Sequence, residues 1–231
     1  MKSIAIITAR GGSKRIPGKN IKEFCGKPII AYSIEAAINS NLFETVMVST
    51  DDDVIVNIAR KYGAEVPFLR SKKNSDDFAT TVDVLKEVLM VYKDYDYFCC
   101  LYPTAPFVTT EKLRDSFNLF HNKNADTLIP VVEFSFPPQR GFKVEEGYLS
   151  FISSKYENMR SQDLDKVYHD VGQFYWGKVN QFLKSGKLVT DNTVSFEINA
   201  VEAQDIDNEA DWQIAEIKYK YIKAQSNESN N

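Results

Sequence analysis

The sequence predicts an α/β fold, a Rossmann-like, mostly parallel sheet with helices on both faces. Three observations carry this. Short apolar runs alternate with amphipathic stretches through the first 133 residues, the pattern of successive βα units. Polar segments at 9–20, 70–83 and 102–107 follow strand ends, where such folds bind ligands. The alternation breaks between residues 134 and 170 and then resumes, so one core carries one long excursion.

Taken in order, Ile4 to Thr8 reads as a buried first strand. Pro28 to Leu42 reads as a helix with proline at its start and Ile30, Ile34, Ala37 and Ile38 on one face. Thr45 to Thr50 is a strand. Asp51, Asp52 and Asp53 suit the start of a helix running to Tyr62, which Gly63 stops. Val66 to Leu69 is a short strand. Thr80 or Thr81 caps a helix carrying Val84, Leu85, Val88, Leu89 and Tyr92. Tyr97 to Tyr102 is a strand, Thr110 to His121 a helix, and Thr127 to Val132 a strand. Residues 134–170 lack a helical period, and Pro137-Pro138 breaks any helix there. Irregular insertions of this length are functional or interfacial. A strand returns near Gly172 to Tyr175, and Asn208 to Ile222 form a last helix with Trp212, Ala215 and Tyr219 on one face. The expected organisation is a core of 1–133 and 171–222 and an extended arm of 134–170. A polar tail of 223–231, Gln225 to Asn231 above all, is expected to be disordered.

A chain of 231 residues with 43% hydrophobic content can pack one large domain. The net charge of −4 argues against nucleic acid or an anionic membrane as partner. No run approaches the roughly 20 apolar residues of a membrane span. Cys25, Cys99 and Cys100 lack C-x-x-C spacing, and Cys99 and Cys100 alternate across a strand. They read as reduced thiols of a cytoplasmic protein.

Against this acidic background stands Ala9-Arg10-Gly11-Gly12-Ser13-Lys14-Arg15-Ile16-Pro17-Gly18-Lys19-Asn20. Glycines let backbone N–H groups approach an anion, and the four cations neutralise it, so the loop suits phosphate. Asn20 adds an amide able to bond a base or ribose. Adjacent Gly11 and Gly12 exclude G-x-G-x-x-G and disfavour a nicotinamide-dependent oxidoreductase. Five residues separate Gly12 from Gly18-Lys19, and Asn20 replaces the magnesium-binding hydroxyl, so this is no P-loop. The alternative is a solvated basic turn. Asp205-Ile206-Asp207 places two carboxylates on one side of an extended segment, roughly 6–7 Å apart. They could share one magnesium ion, or Asp207 could simply cap the helix that follows.

The loop A-R-G-G-S-K-R-I-P-x-K-N resembles the CTP-binding loop of the CMP-sugar synthetases, the cytidylyltransferases that activate nonulosonic (sialic-acid-like) sugars. The likeness runs to about Ile222. Arg160-Ser161-Gln162-Asp163-Leu164 and the run Tyr168 to Gly177 resemble the pseudaminic acid branch of that family. The resemblance implies a nucleotide-diphospho-sugar-transferase-like core. It implies CTP held by Ala9, Arg10, Gly11, Gly12, Ser13, Lys14, Lys19 and Asn20, with Arg70, Ser75, Asp76 and Thr80 near base and ribose. It implies Mg2+ on Asp205 and Asp207, whose D-I-D-x-x-x-D-W setting matches the family's metal element. Sugar contacts would come from Tyr102, Arg140, Arg160, His169, Gln173 and Tyr175. Tyr102 stands where a glutamine is common, and His169 where sialic acid enzymes carry an arginine. Those departures turn the expectation towards pseudaminic acid, a deoxy sugar with an added methyl. Legionaminic or sialic acid is the nearest alternative, and a non-catalytic nucleotide-binding regulator a more distant one. The implied reaction gives CMP-pseudaminic acid and diphosphate for surface glycan or flagellin glycosylation. Arg10, Lys14, Lys19, Asp205 and Asp207 would act in catalysis, with no general base assigned. A homodimer joined through the arm is implied as well.

Overall fold

The computed structural model describes residues 1–228. In chain order its strands are β1 (Ser3–Thr8), β2 (Glu23–Phe24), β3 (Lys27–Pro28), β4 (Thr45–Ser49), β5 (Tyr97–Leu101), β6 (Thr127–Glu133), β7 (Phe142–Glu145), β8 (Tyr148–Phe151), β9 (Tyr168–Asp170), β10 (Phe174–Lys178) and β11 (Thr193–Glu197). Its α-helices are α1 (Ile30–Ser40), α2 (Asp53–Lys61), α3 (Thr81–Val91), α4 (Thr110–Asn122), α5 (Val179–Ser185) and α6 (Glu209–Glu228).

The main sheet runs β11-β6-β10-β5-β1-β4, and β9 also pairs with β6. β1 lies parallel between β4 and β5, with Ile4 opposite both Thr45 and Phe98. A strand paired on both sides and covered on both faces must be apolar throughout, which is why Ile4 to Ile7 form an unbroken run. Ala5 and Ile7 pack with residues of α1, α2 and α4, while Ile4 and Ile6 pack with those of α3 and α5. Cys99 and Cys100 divide between the same two cores. The sheet is mostly parallel, as expected, with helices on both faces. β10, antiparallel to both β5 and β6, and the short β9, antiparallel to β6, are the exceptions.

Several boundaries differ from the sequence reading. Pro28 sits in β3, paired to β2, and α1 begins at Ile30. Val66 to Leu69 forms no strand; only Glu65 bridges Met47, and Pro67 has no N–H to continue a ladder. α5 and β11 went unread because one is seven residues long and the other is half exposed. Residues 223–228 continue α6 where a tail was expected, and 229–231 lie outside the described residues. Residues 134–170 hold the exposed β7–β8 hairpin and short helical turns.

Candidate active site

The segments after β1 and β5 and the segment before α3 meet at one cavity of about 460 Å³. Arg10, Ser13, Lys14, Arg15, Lys19, Asn20, Arg70, Thr80 and Tyr102 all line it. Three polar segments far apart in sequence thus converge beyond the carboxyl ends of parallel strands.

The first loop is held from behind. The Gly11 N–H donates to Asp51 Oδ1 at 3.0 Å, so that amide faces the protein. A Cβ on Gly11 would collide with the Asp52 carboxylate, which caps α2 through the N–H groups of Val54 and Ile55. Ala9 is buried, and its N–H bonds the Ser49 carbonyl. Asn20, expected to meet a base, is buried instead and donates through Nδ2 to the Arg10 carbonyl at 2.8 Å. Its work is to hold the loop closed. Gly12 faces open space, with no atom within 4 Å of where a Cβ would lie.

The cations are not idle. Arg10 Nη1 bonds Asp77 Oδ1 at 2.9 Å and the Asp76 carbonyl at 3.0 Å, and Lys14 pairs with the other Asp77 oxygen. Lys19 Nζ donates to the Ile206 carbonyl at 2.7 Å and lies 3.9 Å from Asp207. Burial pushes the Lys19 ammonium down, and Asp207 opposes that. Arg15 bonds Asp207 Oδ1 at 2.7 Å. The basic loop and the acidic pair, about 190 residues apart, therefore form one unit. Arg70 is buried, with Nε on Ser49 Oγ at 3.0 Å and Nη2 on the Ser49 carbonyl. Burial pushes its pKa down, while Asp51 and Glu87 help to keep it charged.

Asp207 does not cap α6. Asp211 accepts from the Asp207 and Asn208 N–H groups, and Asn208 Oδ1 accepts from Asp211 N. That leaves the Asp207 carboxylate for cations. Desolvation, and then the neighbouring Asp207 charge, push the Asp205 carboxyl up. A crowded pair of like charges is the arrangement a hard divalent cation relieves, and magnesium takes one or two carboxylates plus phosphate oxygens. Among the described residues no larger His, Cys, Asp and Glu cluster gathers.

The residues expected to meet a sugar divide. Tyr102 lines the cavity, with its hydroxyl 3.2 Å from Thr81 Oγ1. Tyr175 lies buried behind it, edge-on at 5.5 Å, and donates to Asp170 Oδ2 at 2.8 Å. Gln173 is also buried; its Nε2 donates to the Glu202 carbonyl, and its Oε1 has no partner. His169 lines a second recess with Phe134, Asp170 and Asp205. Its ring packs 4.7 Å from that of Phe134. Arg160 is exposed and forks onto Asp163, while Arg140 reaches Ser161; neither lines the cavity. Ser75 and Asp76 stand outside it too: Ser75 bonds the Ser71 carbonyl, and Asp76 Oδ1 accepts from Phe78 and Ala79. Asp51, Asp77 and Glu87 were not singled out as site residues from sequence. Arg15 is one of the loop's four cations, but its partner Asp207, like those of Asp77, is set by tertiary folding.

A cationic, glycine-bearing loop at the mouth of a mostly parallel sheet, locked to a carboxylate pair, defines a nucleotide-binding α/β protein. The comparisons narrow this. The family model described as cytidylyltransferase matches residues 4–206. The chain is 40% identical over 225 residues to the pseudaminic acid cytidylyltransferase of Campylobacter jejuni subsp. jejuni serotype O:2, covering 95% of this chain and 97% of the relative. It is 29% identical to the CMP-N,N'-diacetyllegionaminic acid synthase of Legionella pneumophila, covering 94% and 95%. A solved structure of CMP:2-keto-3-deoxy-manno-octonic acid synthetase complexed with CTP superposes with a TM-score of 0.71 at 19% identity, covering 97% of this chain and 100% of that one. The chain belongs to the cytidylyltransferase family, and it is a nucleotidyltransferase.

Proposed function

We propose that this protein transfers CMP from CTP to pseudaminic acid and releases diphosphate. The observation that supports this is the convergence of Arg10, Lys14, Lys19 and Arg70 on one cavity beside Asp205 and Asp207. The choice of sugar rests on the names of the relatives at 40% identity. The sugar's anomeric hydroxyl would attack the α-phosphorus as the bond to diphosphate breaks. Arg10 and Lys14 would grip the phosphates and neutralise charge gathering on the leaving group. Lys19, which lines the same cavity, would share in holding the triphosphate while its bond to Ile206 keeps the loop against the acidic pair. Asp205 and Asp207 would hold Mg2+, which supplies charge neutralisation and lowers the pKa of an oxygen it binds. The Tyr102 ring, backed by Tyr175, would offer an apolar wall to a deoxy sugar.

Two further readings belong to this proposal. The arm exposes Phe142, Val144, Tyr148, Leu149 and Ile152, an apolar surface of the kind that marks a partner. A homodimer would cover it and carry Arg160 towards the neighbour's sugar site. Work in the cytoplasm belongs to the proposed activity, whose substrates are small soluble molecules; among the described residues no helix is long and apolar enough to cross a membrane. The test is diphosphate release from CTP on adding pseudaminic acid with magnesium. Release that needs all three components is expected; none with any nonulosonic acid would end this reading.

A further inference from the structure

The cations expected to hold phosphate already hold an anion. Asp77 takes Arg10 on one carboxylate oxygen and Lys14 on the other, and all three residues line the cavity. The segment carrying Asp77 is fixed at its two ends. Ser71 gives its N–H and hydroxyl to Glu87, and Thr80 closes a capping box with Asp83 at the start of α3. Between them, Asp76 folds the chain back on itself through Phe78 and Ala79, and Phe78 is 89% exposed at the tip. The hydrogen bonds tying residues 76–79 to the rest of the described protein run to Arg10 and, through Asp77, to Lys14. The Lys14 ammonium and then the Arg10 guanidinium hold the Asp77 carboxyl below the ordinary range.

We propose that Asp77 is a resident competitor for the phosphate site, which a triphosphate displaces and which returns as diphosphate leaves. This rests on the nucleotide reading of the cavity. Two exposed cations satisfied by one carboxylate make a weak contact. A triphosphate brings more charge and more oxygens to the same two cations and wins. Every ligand that must displace Asp77 is weakened by the same factor. That factor matters most for free diphosphate, which has no base or ribose contacts to compensate.

The test is calorimetric titration without sugar, at fixed magnesium, using CTP, diphosphate and cytidine. Asp77→Asn and Asp77→Ala are each compared with the wild type; the position is exposed, so both variants should fold. Tightening of diphosphate and CTP by a common factor, ~3-fold for a contact of this kind, with cytidine unchanged, is expected. The inhibition constant of diphosphate against CTP should fall by the same factor. Unchanged or weaker diphosphate binding in both variants would overturn the proposal, as would an equal shift for cytidine. Lys19→Ala separates the two readings. If it binds CTP as the wild type does, the nucleotide assignment fails and takes Asp77 with it. If it loses CTP while the Asp77 variants gain nothing, only the competitor fails.

Discussion

Asp205 and Asp207 carry the sharpest expectation for single side chains. Asp205→Asn or Asp207→Asn should lower magnesium-dependent turnover by at least ~100-fold, the scale of a lost transition-state charge contact; near-normal rates in both would remove the metal assignment. The Asp205 carboxyl is pushed up in the fold by desolvation and Asp207. The folded protein therefore binds more protons than the unfolded chain just above the ordinary carboxylate pKa, and stability falls as pH rises through that window. Asp205→Asn should raise the melting temperature at neutral pH while activity is lost. In the native enzyme the magnesium needed for half-maximal rate should climb as pH falls through the raised value, because protonated Asp205 is a poor ligand. At this scale the sequence was informative about residue type and poor about partners. Glycines and cations marked the loop, but Asn20 turned inward to the Arg10 carbonyl and Gly11 N–H turned to Asp51. No local pattern tells which acceptor a folded loop will find.

Strands and helices were more legible, because periodicity and burial coincide in them. β1, β4, β5 and β6 lie where apolar runs were read, and Thr80 caps α3 through Asp83 N. The failures fall where the pattern is short or half exposed, at α5 and β11, at Pro67, which has no N–H to continue a ladder, and at Pro28, which pairs with β2 instead of opening α1. β10 shows what an element does for the site. It enters the sheet antiparallel and sets Tyr175 behind Tyr102. Its Gly177 lies against Phe98, where an added Cβ would come within 2.5 Å of the ring. Gly177→Ala should destabilise the protein by about 1–3 kcal/mol, the range for overpacking a filled core. Denaturant unfolding measures this directly, and a midpoint within error of the wild type would show that β10 can shift freely.

For the whole molecule, topology joins what sequence separates. The β1 loop and the segment before α6 meet through Lys19 and Arg15 only once the sheet is built. The two carboxylates were legible as a pair, but the ion pairs of Asp207 to the loop were not. The arm was legible as an interruption, and its exposed hairpin supports the dimer proposal without giving the partner's contacts. If the site is shared, an Arg160→Ala protein mixed with an Asp205→Asn protein should recover activity after subunit exchange, since one hybrid site is intact. No recovery after proven exchange, or a monomer by sedimentation, would contradict the shared site. The central claim is that this cytidylyltransferase acts on pseudaminic acid. It is tested most directly by competition: limiting CTP, magnesium and equimolar pseudaminic, legionaminic and N-acetylneuraminic acids, with the CMP-sugars identified by mass. CMP-pseudaminic acid should dominate by at least ~100-fold, the discrimination available to a site whose polar contacts suit one substrate and go unmet with another. A dominant CMP-legionaminic or CMP-N-acetylneuraminic acid product would contradict it.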